Sequence, residues 1–267
     1  MQIIADNLNI MHPDIARALE KRDPEPIRRL VKRCVDAGAQ ALDINPGPLS
    51  RQPREKMVFL VETVQSVTHL PLVLDTANPA AMAAGLATCA GPVTINGFSL
   101  EPDKLERMLP LAGRYGADII GYVLGAHSRV PIDEHEMMST AVALFEAHTK
   151  AGLAPRQLII DPVMVPAAWP DGPRHNRNVL SLIHQLPDLL GVPVRTIAGL
   201  SNLSSGGGSL QVKMVLEAGY LPMLAAAGLD MVLTNVLHPN TLALAKVCRV
   251  LLKEGVFSWA DLDSFPN

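Results

Sequence analysis

The chain has 267 residues, of which 48% are hydrophobic, 18% charged and 4% aromatic, and its formal net charge is -3. The sequence has no basic cluster interleaved with stacking aromatics, which excludes the usual signature of nucleic-acid binding. No apolar run reaches the ~18 residues of a membrane-spanning helix, and the opening MQIIADNLN lacks signal-peptide features, so we expect a cytoplasmic protein without membrane contact.

Eight short apolar runs follow one another along the chain, and each is a predicted strand. Several of them contain no alternating polar residue, which is typical of strands covered on both faces. The runs are residues 3–4, 41–44, 72–74, 92–95, 119–124, 158–160, 194–200 and 231–233.

Longer segments with apolar residues three to four positions apart lie between these runs and predict amphipathic helices. They are residues 24–37, 54–67, 79–88, 102–115, 134–151, 178–190, 210–227 and 241–252. Several begin with a proline such as Pro24 or Pro79, and Gly38 and Gly116 end others, as helix-terminus preferences require.

Eight strand–helix units in a chain of this length predict an α/β fold, a (β/α)8 TIM barrel forming a single domain over residues 1–267. A doubly wound sheet is the alternative. No G-x-G-x-x-G motif follows the first predicted strand, which argues against it.

Aspartate or asparagine stands at the end of seven of the eight predicted strands. Turn and capping preferences explain such residues singly. In a barrel, however, these positions converge on the mouth at the C-terminal ends of the strands. We therefore expect a pocket of carboxylates and amides, built from Asn7, Asn9, Asp43, Asn45, Asp75, Asn96, Asp161, Asn202 and Asn235. The fifth run ends in GYVLG without such a residue.

The residue types that are missing from these strand ends limit the reactions and cofactors that the site can support. No predicted strand ends in lysine or histidine, which disfavours a Schiff base and a catalytic zinc site, and we expect no bound metal. Carboxylates and amides together suit a planar, neutral ligand with adjacent N–H groups, because a carboxylate accepts two neighbouring N–H groups and an amide reads the next edge. An aminopyrimidinone ring presents such an edge.

The segments LVLDT, TIN, LIIDP and GLSN occur in the order and at the strand positions found in pterin-binding methyltransferases. The segment ALDINPGP is similar to the Asp-x-Asn-x-Gly segment of that family. Over essentially its whole length the chain resembles the methyltetrahydrofolate:corrinoid protein methyltransferases. The resemblance implies a homodimeric TIM barrel with tetrahydrofolate or 5-methyltetrahydrofolate as substrate, and a separate corrinoid-binding protein as partner.

The resemblance also implies roles for individual residues. Asp75, Asn96 and Asp161 are expected to hold the pterin ring, and Asn202 to reach N5, the nitrogen that carries the methyl group. Asn202 and Asp161 are the expected catalytic residues. The further residues expected to bind the pterin are Asn9, Asp43, Asn45, Gly199 and Ser201.

Two other functions remain open at this point, a dihydropteroate synthase-like enzyme and a folate-binding barrel without turnover. In the synthase family the seventh strand ends in Ser-Arg-Lys, whose cations serve a diphosphate leaving group, whereas this chain has Ser201-Asn202-Leu203. This chain also differs from the methyltransferases that it resembles. They often begin with Gly-Glu-Arg-x-Asn, where this chain has ADNLN. They tend to place an arginine soon after GLSN, whereas the first cation after GLSN in this chain is Lys213. We expect the Ser/Gly loop at residues 204–209 to be flexible and to let a bulky partner approach.

Overall fold

The computed structural model describes residues 1–49, 51–252 and 258. It contains eight strands: β1 (Gln2–Asn9), β2 (Ala41–Asn45), β3 (Leu72–Asp75), β4 (Val93–Phe98), β5 (Asp118–Tyr122), β6 (Leu158–Asp161), β7 (Arg195–Gly199) and β8 (Met231–Thr234). The helices of the described part are α1 (Pro13–Lys21), α2 (Pro24–Ala37), α3 (Pro53–Gln65), α4 (Pro79–Thr88), α5 (Pro102–Tyr115), α6 (Glu134–Lys150), α7 (Gly172–Leu190), α8 (Leu210–Ala227) and α9 (Pro239–Leu251).

The eight strands form one closed barrel in which every neighbouring pair is parallel. They are arranged in chain order, and β1 closes the barrel by pairing with β8, Ile3 opposite Val232. The predicted TIM barrel is thereby confirmed, and the alternative of an open doubly wound sheet is wrong. No helix within residues 1–252 is long and apolar enough to cross a membrane.

Two helices differ from the sequence prediction. Helix α1 was not predicted, because its nine residues bury only Ile15, Ala18 and Leu19, too short a pattern to stand out. Helix α7 begins at Gly172, six residues before the predicted start. Its first turns are polar in sequence but are fixed by tertiary contacts: Asn176 Nδ2 donates to the Val165 carbonyl at 2.9 Å.

Two apolar layers surround the strands. The outer layer fills the space between strands and helices, and Phe98, Leu74 and Met82 are among its fully buried members. The inner layer lies inside the barrel and consists of Ile4, Ala41, Val73, Ile120, Ile159, Ile197, Met231 and Leu233. Because side chains alternate along a strand, the residue two positions beyond an inner-layer residue points inward again, nearer the mouth.

Candidate functional site

The barrel mouth is a cavity of about 510 Å³ formed by the inward positions that follow the inner apolar layer. Asp6 follows Ile4 in this alternation, and Asp161 follows Ile159. The floor of the cavity is therefore apolar and its wall is polar. All nine residues that the family resemblance assigns to the pterin site line this cavity: Asn9, Asp43, Asn45, Asp75, Asn96, Asp161, Gly199, Ser201 and Asn202.

Two residues expected at the mouth lie beside it instead. Asn7 Nδ2 donates to Asn235 Oδ1 at 2.6 Å, and Asn7 Oδ1 accepts from the Val236 backbone N–H at 3.1 Å. The expectation for Asn7 and Asn235 is wrong, because Asn7 lies two positions after Ala5 of the outer apolar layer and Asn235, just past the end of β8, is paired with it. The pair links the ends of β1 and β8 and does not line the mouth.

Two residues that line the mouth were not assigned to it from the sequence. Asp6 faces the cavity on β1, and its Oδ2 accepts a hydrogen bond from Ser201 Oγ at 3.4 Å. Tyr122 ends β5, and its hydroxyl donates to Asn96 Oδ1 at 2.5 Å. Within GYVLG, Tyr122 is the inward residue that carries a polar group, a hydroxyl at the end of an aromatic ring. This feature of the sequence could have identified Tyr122 as a site residue.

Hydrogen bonds hold several mouth side chains in fixed orientations. Asn45 Nδ2 donates to Asp75 Oδ2 at 2.6 Å, while Asn45 Oδ1 accepts from the Gly47 backbone N–H at 3.0 Å. Asp161 Oδ1 accepts from the Val163 backbone N–H at 2.8 Å. These bonds leave the second carboxylate oxygens of Asp75 and Asp161 available to a ligand.

Two polar groups of the mouth have no hydrogen-bond partner among the described residues. Asp43 Oδ1 is buried and unpaired. The Asn202 side-chain amide is exposed, and none of the side-chain hydrogen bonds in residues 1–252 involves it. A buried unpaired oxygen costs folding free energy unless a ligand or water satisfies it, so Asp43 Oδ1 marks a position for ligand contact. The exposed Asn202 amide lines the same cavity and is free to donate to a ligand.

The mouth carboxyl groups hold protons far more strongly than exposed aspartates do. Burial raises the pKa of Asp161 to about 7, opposed by the Val163 N–H. Burial raises the pKa of Asp6 to about 6, and that of Asp75 to about 6 although Lys104 lowers it. Burial first, then the nearby Asp75 and Asp6, raises the pKa of Asp43 well above its usual range. A cluster of carboxyl groups titrating near neutral pH is typical of functional sites.

A glycine allows β4 and β5 to approach closely beneath this polar wall. A Cβ on Gly97 would lie 2.4 Å from the Ile120 carbonyl oxygen and 3.1 Å from Tyr122 Cζ. The absence of a side chain at Gly97 is what brings Asn96 within hydrogen-bond distance of Tyr122.

The Ser/Gly loop after β7 is anchored at its start and exposed beyond it. Ser204 is buried, and its hydroxyl donates to Glu217 Oε1 at 2.5 Å. Residues 205–209 are exposed, and Lys213 Nζ donates to the Gly206 carbonyl at 3.2 Å. The loop therefore borders the mouth at Ser201 and Asn202 without covering it.

The charged side chains that line the mouth are all acidic. Its described lining contains the four aspartates Asp6, Asp43, Asp75 and Asp161 and neither lysine nor arginine. Within the described residues, no group of three or more His, Cys, Asp and Glu side chains is arranged to hold a metal ion. The site can accept hydrogen bonds from a ligand rim rich in N–H groups and can exchange protons with that ligand.

Comparison with known protein families agrees with these features. Residues 6–235 match the model of a family described as pterin binding enzymes. A curated relative, the methylcorrinoid:tetrahydrofolate methyltransferase of Eubacterium limosum, is 23% identical over 235 residues, covering 86% of this chain and 83% of the relative.

Solved structures with the same fold include two dihydropteroate synthases. The Yersinia pestis enzyme with a pterine-sulfa conjugate superposes with a TM-score of 0.70 at 17% identity, covering 94% of this chain and 92% of the other. The Xanthomonas albilineans enzyme in complex with 7,8-dihydropteroate has a TM-score of 0.67 at 20% identity, with 95% and 94% covered.

Proposed function

The chain belongs to the family of pterin-binding enzymes, and on that premise we propose that it transfers a methyl group between N5 of tetrahydrofolate and the cobalt of a corrinoid carried by a separate protein. The observation that carries the proposal is the mouth itself, four carboxyl groups and several amides without a lining cation among the described residues. The relative from Eubacterium limosum, named for methyl transfer between these two partners, supports it. The pterin-binding domain is proposed to span residues 1–267.

Pterin recognition follows from the donor and acceptor groups of the wall. The ring presents its 2-amino group and N3–H side by side, and a carboxylate accepts both. We assign this grip to Asp75 and Asp161, each with one oxygen already oriented by a protein N–H. Asn96, held by Tyr122, reads the neighbouring ring edge. The remaining contacts come from Asn9, Asp43, Asn45, Gly199 and Ser201.

Methyl transfer needs stabilisation of the electron pair on N5. As the methyl group moves to cobalt, the N5–carbon bond breaks, the cobalt–carbon bond forms, and N5 keeps the electron pair. The Asn202 amide, unpartnered among the described residues, donates a hydrogen bond to N5 at that point. An amide does not release a proton near neutral pH, so the proton reaches N5 through water, in a hydrogen-bond network that Asp161 polarises.

The fold alone leaves open a dihydropteroate synthase activity, and the mouth argues against it. Loss of diphosphate is served by lysine or arginine side chains placed at the leaving group. The residues that follow β7 are Ser201 and Asn202, and the described lining of the mouth has no cation. A diphosphate would meet four aspartates instead.

The open rim of the barrel leaves room for a corrinoid-binding protein to reach the mouth. The methyl group and the cobalt must come within about 3 Å of each other, so a macrocycle bound to another protein has to reach the mouth. The exposed residues 205–209 border Asn202 and form no cover over the cavity. We assign this loop to contact with the corrinoid-binding protein.

A homodimer is supported by the solvent-exposed surface of helix α8. Helix α8 carries only Lys213 and Glu217 as charged residues, and Glu217 is buried. Its solvent face has an apolar stripe at Val212, Val215, Leu216 and Met223. An uncharged stripe can pack against its own symmetry copy without repulsion, as a twofold interface requires.

The experiment that tests the function uses absorbance. The protein is mixed with 5-methyltetrahydrofolate and Co(I) cobalamin, and methylcobalamin formation is followed; the reverse assay starts from methylcobalamin and tetrahydrofolate. We expect turnover in at least one direction. Tight folate binding with no spectral change in either direction would instead identify a binding barrel. Condensation of a dihydropterin diphosphate with 4-aminobenzoate would identify a synthase.

A further inference from the structure

The mouth continues into two further cavities on one side of the barrel. The next cavity, of about 310 Å³, shares Asp6, Asn9 and Ser201 with the mouth. A third, of about 800 Å³, lies between α1 and α2 and shares Asn7, His12 and Asn235 with the second. The three cavities are therefore neighbours that share walls, and they follow one another from the mouth to the groove between α1 and α2, here named the α1–α2 groove.

The α1–α2 groove reverses the charge of the mouth. Its lining cations are two from each helix, Arg17 and Lys21 on α1 and Arg29 and Arg33 on α2. Both pairs are four residues apart, which places each pair on one helix face. The groove is thus bordered by two facing rows of positive charge.

These cations are mostly free to meet a ligand. Arg17 is paired with Asp14. Lys21, Arg29 and Arg33 form no ion pair with a carboxylate of the described residues. Asp14 and Asp23 also line the groove, so four cations face two carboxylates and the lining keeps an excess of two positive charges. An excess of positive charge concentrates a negatively charged ligand.

On another face of α2 the cations are already neutralised. Arg28 pairs with Glu25 at 2.8 Å, and Lys32 pairs with Asp36 at 3.1 Å. Neither lines the groove. Removing Arg28 and Lys32 therefore changes the net charge of α2 as much as removing Arg29 and Arg33 does, but it leaves the lining of the groove unchanged.

We propose that the α1–α2 groove binds the oligo-γ-glutamyl tail of the folate whose pterin ring occupies the mouth. This inference rests on the proposed function, since it concerns the far end of the same substrate. Each γ-linked glutamate leaves one free α-carboxylate, so the tail is a flexible chain with repeated negative charge. The second cavity lies between the mouth and this groove, so the tail can extend from the mouth toward the cations of α1 and α2. Lys213 lines that second cavity.

The test compares tetrahydrofolate carrying one glutamate with tetrahydrofolate carrying five, using isothermal titration calorimetry on the full chain. With exposed ion pairs of ordinary strength, we expect the pentaglutamate to bind about tenfold more tightly at low salt. The advantage should shrink as the salt concentration rises, because exposed charges are screened.

Two double variants distinguish binding by the groove cations from the effect of the overall charge of α2. Arg29→Gln with Arg33→Gln should reduce the pentaglutamate advantage to about twofold or less and leave monoglutamate binding unchanged, since only exposed pairs are lost. The control, Arg28→Gln with Lys32→Gln, removes the same charge from α2 and should retain the full advantage.

The outcomes distinguish this inference from the proposed function. Equal wild-type affinity for both ligands, or equal losses in the two double variants, overturns the tail site alone. If the wild-type protein binds neither ligand, the proposed function fails and the tail site fails with it.

Discussion

At the scale of single residues, Asn202 is the side chain expected to contribute most to the rate of methyl transfer. Its amide donates to N5 more strongly in the transition state than in the ground state, and one such donor contributes about 2.7–4 kcal/mol. We therefore expect Asn202→Ala to lower the rate of methyl transfer about 100-fold or more and to change folate affinity only a few-fold. Stopped-flow absorbance measures the rate, and calorimetry measures the affinity.

The matched control for Asn202→Ala is Ser205→Ala. Ser205 stands on the same loop, and its hydroxyl donates to the Ser201 carbonyl at 3.0 Å, but it does not line the mouth. With free Co(I) cobalamin as the methyl acceptor, which needs no contact between the loop and a partner protein, this variant should keep a near wild-type rate. A rate for Asn202→Ala within a few-fold of wild type, with folate still bound, would remove Asn202 from the mechanism.

The buried carboxyl group of Asp161 predicts a stability cost that depends on pH. Its pKa is about 7 in the folded protein, against an ordinary value of 3.8 for an aspartate. Below about pH 3.8 both states hold the proton and no cost arises. Between these values the unfolded chain releases its proton first, so folding stability falls as pH rises, and above about pH 7 the cost is complete, of order 4 kcal/mol.

Asp161→Asn should therefore stabilise the ligand-free protein at pH 8 and change its stability little at pH 4. Chemical denaturation at both pH values measures the difference. Asp188→Asn, which removes a charge from the exposed surface of α7, is the control for loss of charge alone. A stability gain at pH 4 equal to that at pH 8 would contradict the buried-proton account.

At the scale of elements, the contact between β4 and β5 depends on Gly97. An alanine there would place Cβ 2.4 Å from the Ile120 carbonyl oxygen, a backbone atom that cannot move aside without shifting the strand. We expect Gly97→Ala to destabilise the fold by about 1–3 kcal/mol and to lower Tm by several degrees. Differential scanning calorimetry measures Tm.

Gly113→Ala serves as the control for Gly97→Ala. Gly113 lies inside α5, where a Cβ would meet Leu153 at 3.4 Å, an ordinary contact. The better helix propensity of alanine should stabilise this variant by about 0.5–1 kcal/mol. If both variants lower Tm equally, the close approach at Gly97 has no special role.

The strands and most helices were predictable from the sequence because buried parallel strands and amphipathic helices leave strong local patterns. The details that failed depend on contacts distant in sequence. The register shift in β1 lets Asp6 and Asn9, three positions apart, both line the mouth, while Asn7 between them pairs with Asn235. The contact of Tyr122 with Asn96 depends on the close approach of β4 and β5 at Gly97, which a local pattern does not predict.

At the scale of the whole molecule, the apolar stripe of α8 predicts a dimer. Val215 is 66% exposed in the single chain, yet it lies in the middle of this stripe. Val215→Lys would place a charge against its symmetry copy, so we expect the variant to be monomeric where the wild type is dimeric. Sedimentation velocity measures the oligomeric state.

The control for Val215→Lys is Leu251→Lys. Leu251 is equally exposed, at 67%, but it is the last residue of α9 and is not part of the α8 stripe. It should leave the dimer intact. A wild-type protein that sediments as a monomer at high concentration would reject the dimer itself.

The measurement that tests the central claim most directly is a crystal structure with 5-methyltetrahydrofolate bound. We expect the pterin ring in the mouth, with its 2-amino group and N3–H within hydrogen-bond distance of Asp75 or Asp161 and N5 facing the Asn202 amide. A ligand bound elsewhere, or a ring turned so that N5 lies away from Asn202, would contradict the account.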